Sequence, residues 1–364
     1  MRRMIVTLLV VLAGTTTAEA NVGPPTGGGQ ITGEPLGIRN VRIDRETLII
    51  DLRPIVNGEQ AQIEATYYLN NTGPEQTLEL LFASGSSQIE GFEVRFNGQT
   101  VPVALAGPME LPASWKPPKQ TPSIDDRKLD YDPAVRSHQP IKPIQFTLTI
   151  PPGQQVLQVR YQAEMGTNYY GHPTVYRQFA YILAPARSWD GFGKLDITVH
   201  VPPQWEVATN LELTRDGETL RGTFEGVPAD HLAITLQAQP GADYYQLVTI
   251  SKVVFWVTAG GGLVLAWVIG RWAGRRVAAD RYSSKIWPIA LTFGVIWGIA
   301  FAVAGWFKVY GPEIVLPANQ VSHYGYDQLF EAIAYGLLAP YIMLGSFLIT
   351  YITGVLVARW NSRH

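Results

Sequence analysis

Cysteine is absent from this 364-residue sequence. In an exported chain that removes disulfides, lipid attachment at a mature N-terminal Cys and thiolate chemistry together, so an exported part must be held by its own hydrophobic core. A basic excess is missing too: 28 Lys and Arg stand against 30 Asp and Glu, a formal net charge of -2. Nucleic-acid binding requires cations to neutralise phosphates, so no nucleic-acid partner is expected. The six histidines (His138, His172, His200, His231, His323 and His364) never recur at metal-ligand spacing, and no cofactor or metal is expected. Asp125, Asp126, Asp130 and Asp132 cluster without the Asp-x-Asp-x-Asp-Gly loop of a calcium site and read as a solvated charge run.

Against these absences stand two kinds of hydrophobic pattern. Arg2 and Arg3 precede an apolar run from Met4 to Ala13, and Ala18-Glu19-Ala20 supplies small residues at the recognition positions of a cleavage site. Residues 1–20 are therefore expected to be a secretory signal peptide, and the Gly- and Pro-rich residues 21–30 a flexible leader. Farther on, Val253 to Gly270, Ile286 to Phe307 and Ala332 to Ala358 carry no charge. Each is long enough to cross a bilayer core, giving expected spans at 248–270, 286–307 and 332–358. Arg271, Arg275, Arg276, Arg281 and Lys285 follow the first span against a single acid, Asp280, whereas the second connection holds Glu313, Asp327 and Glu331. The positive-inside rule then puts residues 21–246 outside a bacterial inner membrane and the C-terminus in the cytoplasm.

Between signal and spans the hydrophobic period is two. FEVRF at Phe92 to Phe96 alternates, Asn97-Gly98 follows and TVPVAL comes next, which predicts a hairpin closed by an Asn-Gly turn; Asp216-Gly217 predicts a second. About a dozen such strands with no helical period between them predict a mainly β exported domain, an antiparallel β-sandwich, followed by an all-α three-helix transmembrane bundle. Residues 31–105 form an N-terminal β unit and 144–245 a C-terminal one, in separate subdomains or one sandwich. The Pro-rich residues 106–143 between them read as a surface insertion or a linker.

From Tyr181 the chain carries a Tyr-x-Leu-x-Pro-Ala-x-x-Trp segment, with Leu183, Pro185, Ala186 and Trp189, followed by Gly191 and Gly193. Upstream lie Glu46-Thr47-Leu48, Ala65-Thr66-Tyr67-Tyr68 and Asn70-Asn71-Thr72-Gly73. Together these resemble a bacterial family of exported β-sandwich envelope proteins, a domain of unknown function. The resemblance implies location and fold and transfers no catalytic residue. Trp189 has two readings of its own: a plug at the end of the sandwich, or a wall of a ligand groove.

No linear arrangement supplies a nucleophile with a base, and the span centres hold no ionisable group for an ion path. The expected function is that of a membrane-anchored binding, scaffold or assembly module, not an enzyme. The alternative is an enzyme or sensor acting on envelope glycans or small molecules. Candidate ligand or partner contacts are His172, Tyr169, Tyr170, Trp189 and Tyr324. Small residues recur every fourth position at Gly262, Ala266 and Gly270, at Gly294, Gly298 and Ala302, and at Ser346, Thr350 and Gly354. That spacing brings helix backbones together within the bundle, against a membrane or envelope protein partner in the lipid bilayer, or in a homo-oligomer.

Overall fold

The structure is a computed structural model that describes residues 21–23, 38–86, 88–106, 111–125, 127, 129–131, 143–277, 282–322 and 326–363. The expected signal peptide and Tyr324 lie outside the described residues. The chain divides into two compact units, one of Met1–Asn168 with Tyr176–Ala238 and one of Tyr169–Val175 with Gln239–His364.

The first unit is built of strands: β1 (Asn21–Gly23), β2 (Val41–Asp51), β3 (Ala61–Asn71), β4 (Gln76–Ala83), β5 (Ile89–Phe96), β6 (Gln99–Val101), β7 (Val103–Leu105), β8 (Gln120–Thr121), β9 (Leu129–Asp130), β10 (Ile144–Ile150), β11 (Gly153–Ala163), β12 (Gly166–Asn168), β13 (Tyr176–Ile182), β14 (Phe192–His200), β15 (Glu206–Thr209), β16 (Thr214–Asp216), β17 (Thr219–Glu225) and β18 (His231–Gln237). They form an eight-stranded sheet in the order β16-β17-β14-β2-β3-β11-β5-β6, two four-stranded sheets, β1-β4-β10-β7 and β12-β13-β18-β15, and a β8-β9 ribbon. Strands from both sides of residues 106–143 share these sheets, so residues 31–105 and 144–245 do not form separate β units. One pairing departs from the antiparallel expectation: β2 and β14 run parallel, from Phe192 opposite Ile43 to His200 opposite Asp51. An alternating strand shows which face is wet but not the direction of its neighbour.

One apolar core joins all three larger sheets, with Leu48 and Ile50 of β2, Leu69 of β3, Phe82 of β4, Phe146 of β10, Val159 of β11, Phe179 of β13, Ile197 of β14 and Ile234 of β18. This face-to-face packing removes the inner side chains from water, which is what holds a chain without disulfides. β13 and β18 are buried on both faces. β13 reaches a smaller cluster through Ile182, which groups with Leu81, Leu111, Trp115 and Ala184.

Parts of residues 106–143 and of the expected leader join the packed unit. The described part of residues 106–143 packs against the sheets, as the insertion reading expects: Trp115 is 2% exposed, and Tyr131 Oη donates to Gly85 O at 2.7 Å. Proline denies ladder hydrogen bonds but leaves side chains free to bury, and here a few large ones do. Within the expected leader, Asn21–Gly23 pairs with Leu81–Ala83 as an edge strand, because β4 otherwise offers unpaired backbone groups there. Both hairpins form where turn chemistry put them. Asn97 and Gly98, at φ 50 and 80, close β5 onto β6, and Gly217, at φ 59, lies in the turn between β16 and β17.

Among the described residues, the second unit contains three helices long and apolar enough to cross a membrane, α1 (Ala242–Arg276), α2 (Tyr282–Tyr310) and α3 (Tyr326–Asn361). All three extend beyond the expected spans, since interfacial Tyr, Lys and Arg residues continue a helix as well as apolar ones do. α1 begins after its N-cap Gly241, which follows Pro240. The small-residue stripes lie at helix contacts. A Cβ added to Gly270 would stand 2.6 Å from Thr350 O, one on Gly294 2.8 Å from Met343 O, and one on Gly298 2.9 Å from Met343 Cβ. Gly262 leaves room for the Trp297 ring, whose Nε1 donates to Thr258 O at 3.0 Å. Ala266 and Thr350 are fully buried, and Ala302 packs against the cluster of Phe255 and Phe301.

Candidate functional site

A groove of about 480 Å³ opens on the polar face of the eight-stranded sheet. Cross-strand register builds it. Ile49, Glu64, Arg160 and Glu93 stand opposite one another across β2, β3, β11 and β5, and a neighbouring row runs His200, Asp51, Gln62, Gln162. Side chains two apart on a strand share a face, so the sheet displays these rows together. Arg53 grips Asp51 with both ends of its guanidinium, Nη2 to Oδ2 at 2.6 Å and Nε to Oδ1 at 2.9 Å. This hydrogen bonding holds the Asp51 carboxyl below the usual carboxylate range. Arg160 Nη2 donates to Glu64 Oε1 at 2.8 Å, and His200 Nδ1 lies 3.2 Å from Thr219 Oγ1. Half-exposed ion pairs of this kind add little stability. What they supply is an ordered array of charges and amides of both hydrogen-bonding senses, suited to a small polar ligand.

Beneath the same sheet lies a group that periodicity hides. Along β2 the buried residues run Val41, Ile43, then Glu46, Leu48, Ile50. The register against β3 slips between Ile43 and Arg45, a bulge that moves later residues to the opposite face and turns Glu46 into the core. Gly193 of β14 fits this bulge, where an added Cβ would overlap Asp44 O. Tyr181 Oη, from the facing sheet, donates to Glu46 Oε1 at 3.1 Å and stands 2.9 Å from Tyr67 Oη. Burial pushes the Glu46 carboxyl up to about 8, against the opposing pull of the Tyr181 and Tyr67 hydrogen bonds. Glu46, Tyr67, Tyr181 and Gly193 all belong to the segments that carry the family resemblance. The fold brings Glu46, Tyr67 and Tyr181 into one buried network, with Gly193 against the bulge that turns Glu46 inward.

The other candidates named from the sequence scatter. Residues 169–175 belong to the unit of helices. There Ser322 Oγ donates to Tyr169 O at 2.6 Å, Val175 N to Gln320 O at 2.9 Å, and Thr174 bridges Val321. His172 Nδ1 lies 3.3 Å from Gln328 Nε2, which donates to Glu313 Oε1 at 2.8 Å. Tyr170 is 75% exposed. Trp189 is 5% exposed and part of the main core. Asp125 is engaged by Ser123, Arg127 and Tyr176, and the Arg127 hydrogen bond holds its carboxyl far below the ordinary range. Asp130 Oδ1 accepts from Gln120 Nε2 at 3.2 Å, and Asp126 and Asp132 lie outside the described residues. Among the described residues, no three His, Cys, Asp or Glu side chains gather as a metal site.

No family model matches the chain, and no curated protein does. Solved structures overlap it at low similarity. One is a Legionella pneumophila protein provisionally described as nutrient binding, at 9% identity and a TM-score of 0.40, covering 88% of this chain and 98% of that one. Another is yeast leukotriene A4 hydrolase in complex with bestatin, at 10% identity and a TM-score of 0.33, with 58% and 32% covered. A third is the M1 zinc metallopeptidase from Deinococcus radiodurans, at 12% identity and a TM-score of 0.28, with 60% and 54% covered. At these values the overlaps assign neither a family nor an activity to this chain.

Proposed function

We propose that the chain is a membrane-anchored bacterial envelope protein whose β-rich unit is an extracytoplasmic binding module, with the groove between Asp51, Glu64, Glu93 and Arg160 as its ligand surface. The observation that carries this reading is the coexistence, in one chain, of three bilayer-length helices and an open, polar, ordered groove on a separate β unit. Membership of the exported β-sandwich envelope family belongs to the same proposal, supported by the quoted motifs that converge on Glu46. Orientation is supported by charge: the end of α1 carries Arg271, Arg275 and Arg276, and α3 ends near Arg359 and Arg363.

Two measurements test it. Single cysteines replacing Thr100 and Ser362 in intact cells should give opposite outcomes with a membrane-impermeant maleimide, labelling at the first position and protection at the second. The reverse pattern overturns the orientation. The full chain in detergent should gain thermal stability with some member of a panel of amino acids, short peptides and oligosaccharides, and lose that gain in Arg160→Ala/Gln162→Ala. A gain that survives the double variant places the ligand elsewhere.

A further inference from the structure

The three helix ends on the C-terminal side of α1 converge. A Cβ on Gly274 would press on Val357 Cβ at 2.9 Å, and one on Gly354 would meet Ile286 Cγ2 at 2.9 Å and Gly270 O at 3.2 Å. The end of α1, the start of α2 and the end of α3 therefore meet at one level. That level carries Arg271, Arg275 and Arg276 of α1, Lys285 of α2 and Arg359 of α3, all exposed. Two of the guanidiniums are held in place by indole rings: Arg271 Cζ lies 4.8 Å over Trp267 and Arg276 Cζ 4.8 Å over Trp272. Cation–π stacking at the boundary of an apolar helix keeps a cation at headgroup depth without burying it.

We propose that this end of the bundle is a binding site for the headgroups of acidic phospholipids. The argument is charge complementarity at a fixed depth. A guanidinium offers planar paired donors to a phosphodiester, and several such groups on three adjoining helices meet one or two anionic headgroups at once. Exposed Trp272 beside them sits where an indole is stable between acyl chains and water. This inference needs the helices to span a bilayer but does not depend on the groove or on any ligand of the β unit.

The test uses the full chain in detergent, mixed with phosphatidylcholine or phosphatidylglycerol micelles and read by native mass spectrometry for retained lipid and by its thermal midpoint. Phosphatidylglycerol should be retained selectively and raise the midpoint. Arg271→Gln/Arg275→Gln/Arg276→Gln should weaken retention by about a hundredfold, given roughly 1 kcal/mol for each cation near a charged surface. Should that variant fail to insert, the wild-type chain decides alone: raised salt should strip the selective retention, since exposed charges are screened. Equal retention of both lipids, indifference to salt, or unchanged retention by a folded Gln variant each overturns the proposal. Inorganic phosphate added alone should neither raise the midpoint nor displace the lipid; if it does both, the site reads free phosphate and the proposal fails.

Discussion

Tyr181 Oη donates to Glu46 Oε1 across the interior of the β unit, a 3.1 Å bond between two sheets within a largely apolar core. With Tyr67 Oη 2.9 Å from Tyr181 Oη, the three side chains make a polar strut inside an apolar core. Such a strut selects one alignment of the sheets, because any sliding would leave buried oxygens without partners.

The strut makes stability pH-dependent. Glu46 ionises at about 8 in the folded chain against an ordinary 4.5, so the folded state holds a proton that the unfolded state has released. The contribution is fully present below pH 4.5, declines as pH rises and levels off above about 8, a total change of roughly 5 kcal/mol. Thermal midpoints recorded from pH 5 to 8 should fall, and Glu46→Gln should flatten the profile and raise the midpoint at pH 8. An identical slope in the variant would assign the pH dependence to another group.

Gly193→Ala should destabilise the β unit by about 1–3 kcal/mol, the range for overpacking, because the new methyl meets the Asp44 carbonyl and backbone cannot step aside as a side chain can. Chemical denaturation compares it with Gly226→Ala, whose added Cβ meets open space. The second change acts through backbone conformation alone, since Gly226 has a φ of 76.

Trp115→Ala should cost about 3–5 kcal/mol, as for other large core truncations. It would also open the cover over β13, so limited proteolysis should cut residues 106–143 faster than in the wild type. An unchanged digestion rate would return this segment to the class of linkers.

In the bundle, Lys308 of α2 bonds Glu331 of α3, lies 2.5 Å from Tyr335 Oη and stands 5.4 Å over the Phe255 ring of α1. Glu331 is 44% exposed, so screening reduces the value of the pair. Lys308→Met should lower thermal stability in detergent by about 1 kcal/mol, and Lys308→Met/Glu331→Gln should recover part of it, because the double change leaves no lone carboxylate between helices. A double variant worse than the single one would show that the pair contributes more than the relief of a stranded charge.

What could be read from the residues followed from how locally it is encoded. The Asn97-Gly98 turn needs only two residues with positive φ, and the bilayer-length helices need only uninterrupted apolar runs. The parallel pairing of β2 with β14 joins residues about 150 apart, and nothing in either strand's alternation records its partner's direction. Glu46 escaped for the same reason: its side is decided by a slip against β3, a property of two strands together. The groove is wholly non-local, since its two rows exist only after five strands have aligned. Trp115 was hidden by the prolines around it, whose backbone effect says nothing about where an indole goes.

The bulge at Asp44 also means that β2 is read in two frames. Before it, odd-numbered residues belong to oil and even ones to water; after it, the assignment is exchanged. Deleting Asp44 would restore the regular pleat with Val41, Ile43, Glu46, Leu48 and Ile50 still on one face, whereas deleting a residue to either side of the bulge would carry part of that set outward. Substitutions along β2 can be absorbed one at a time, but a change of length away from the bulge cannot, so chains of this fold should vary in β2 by composition and differ in its length only at Asp44.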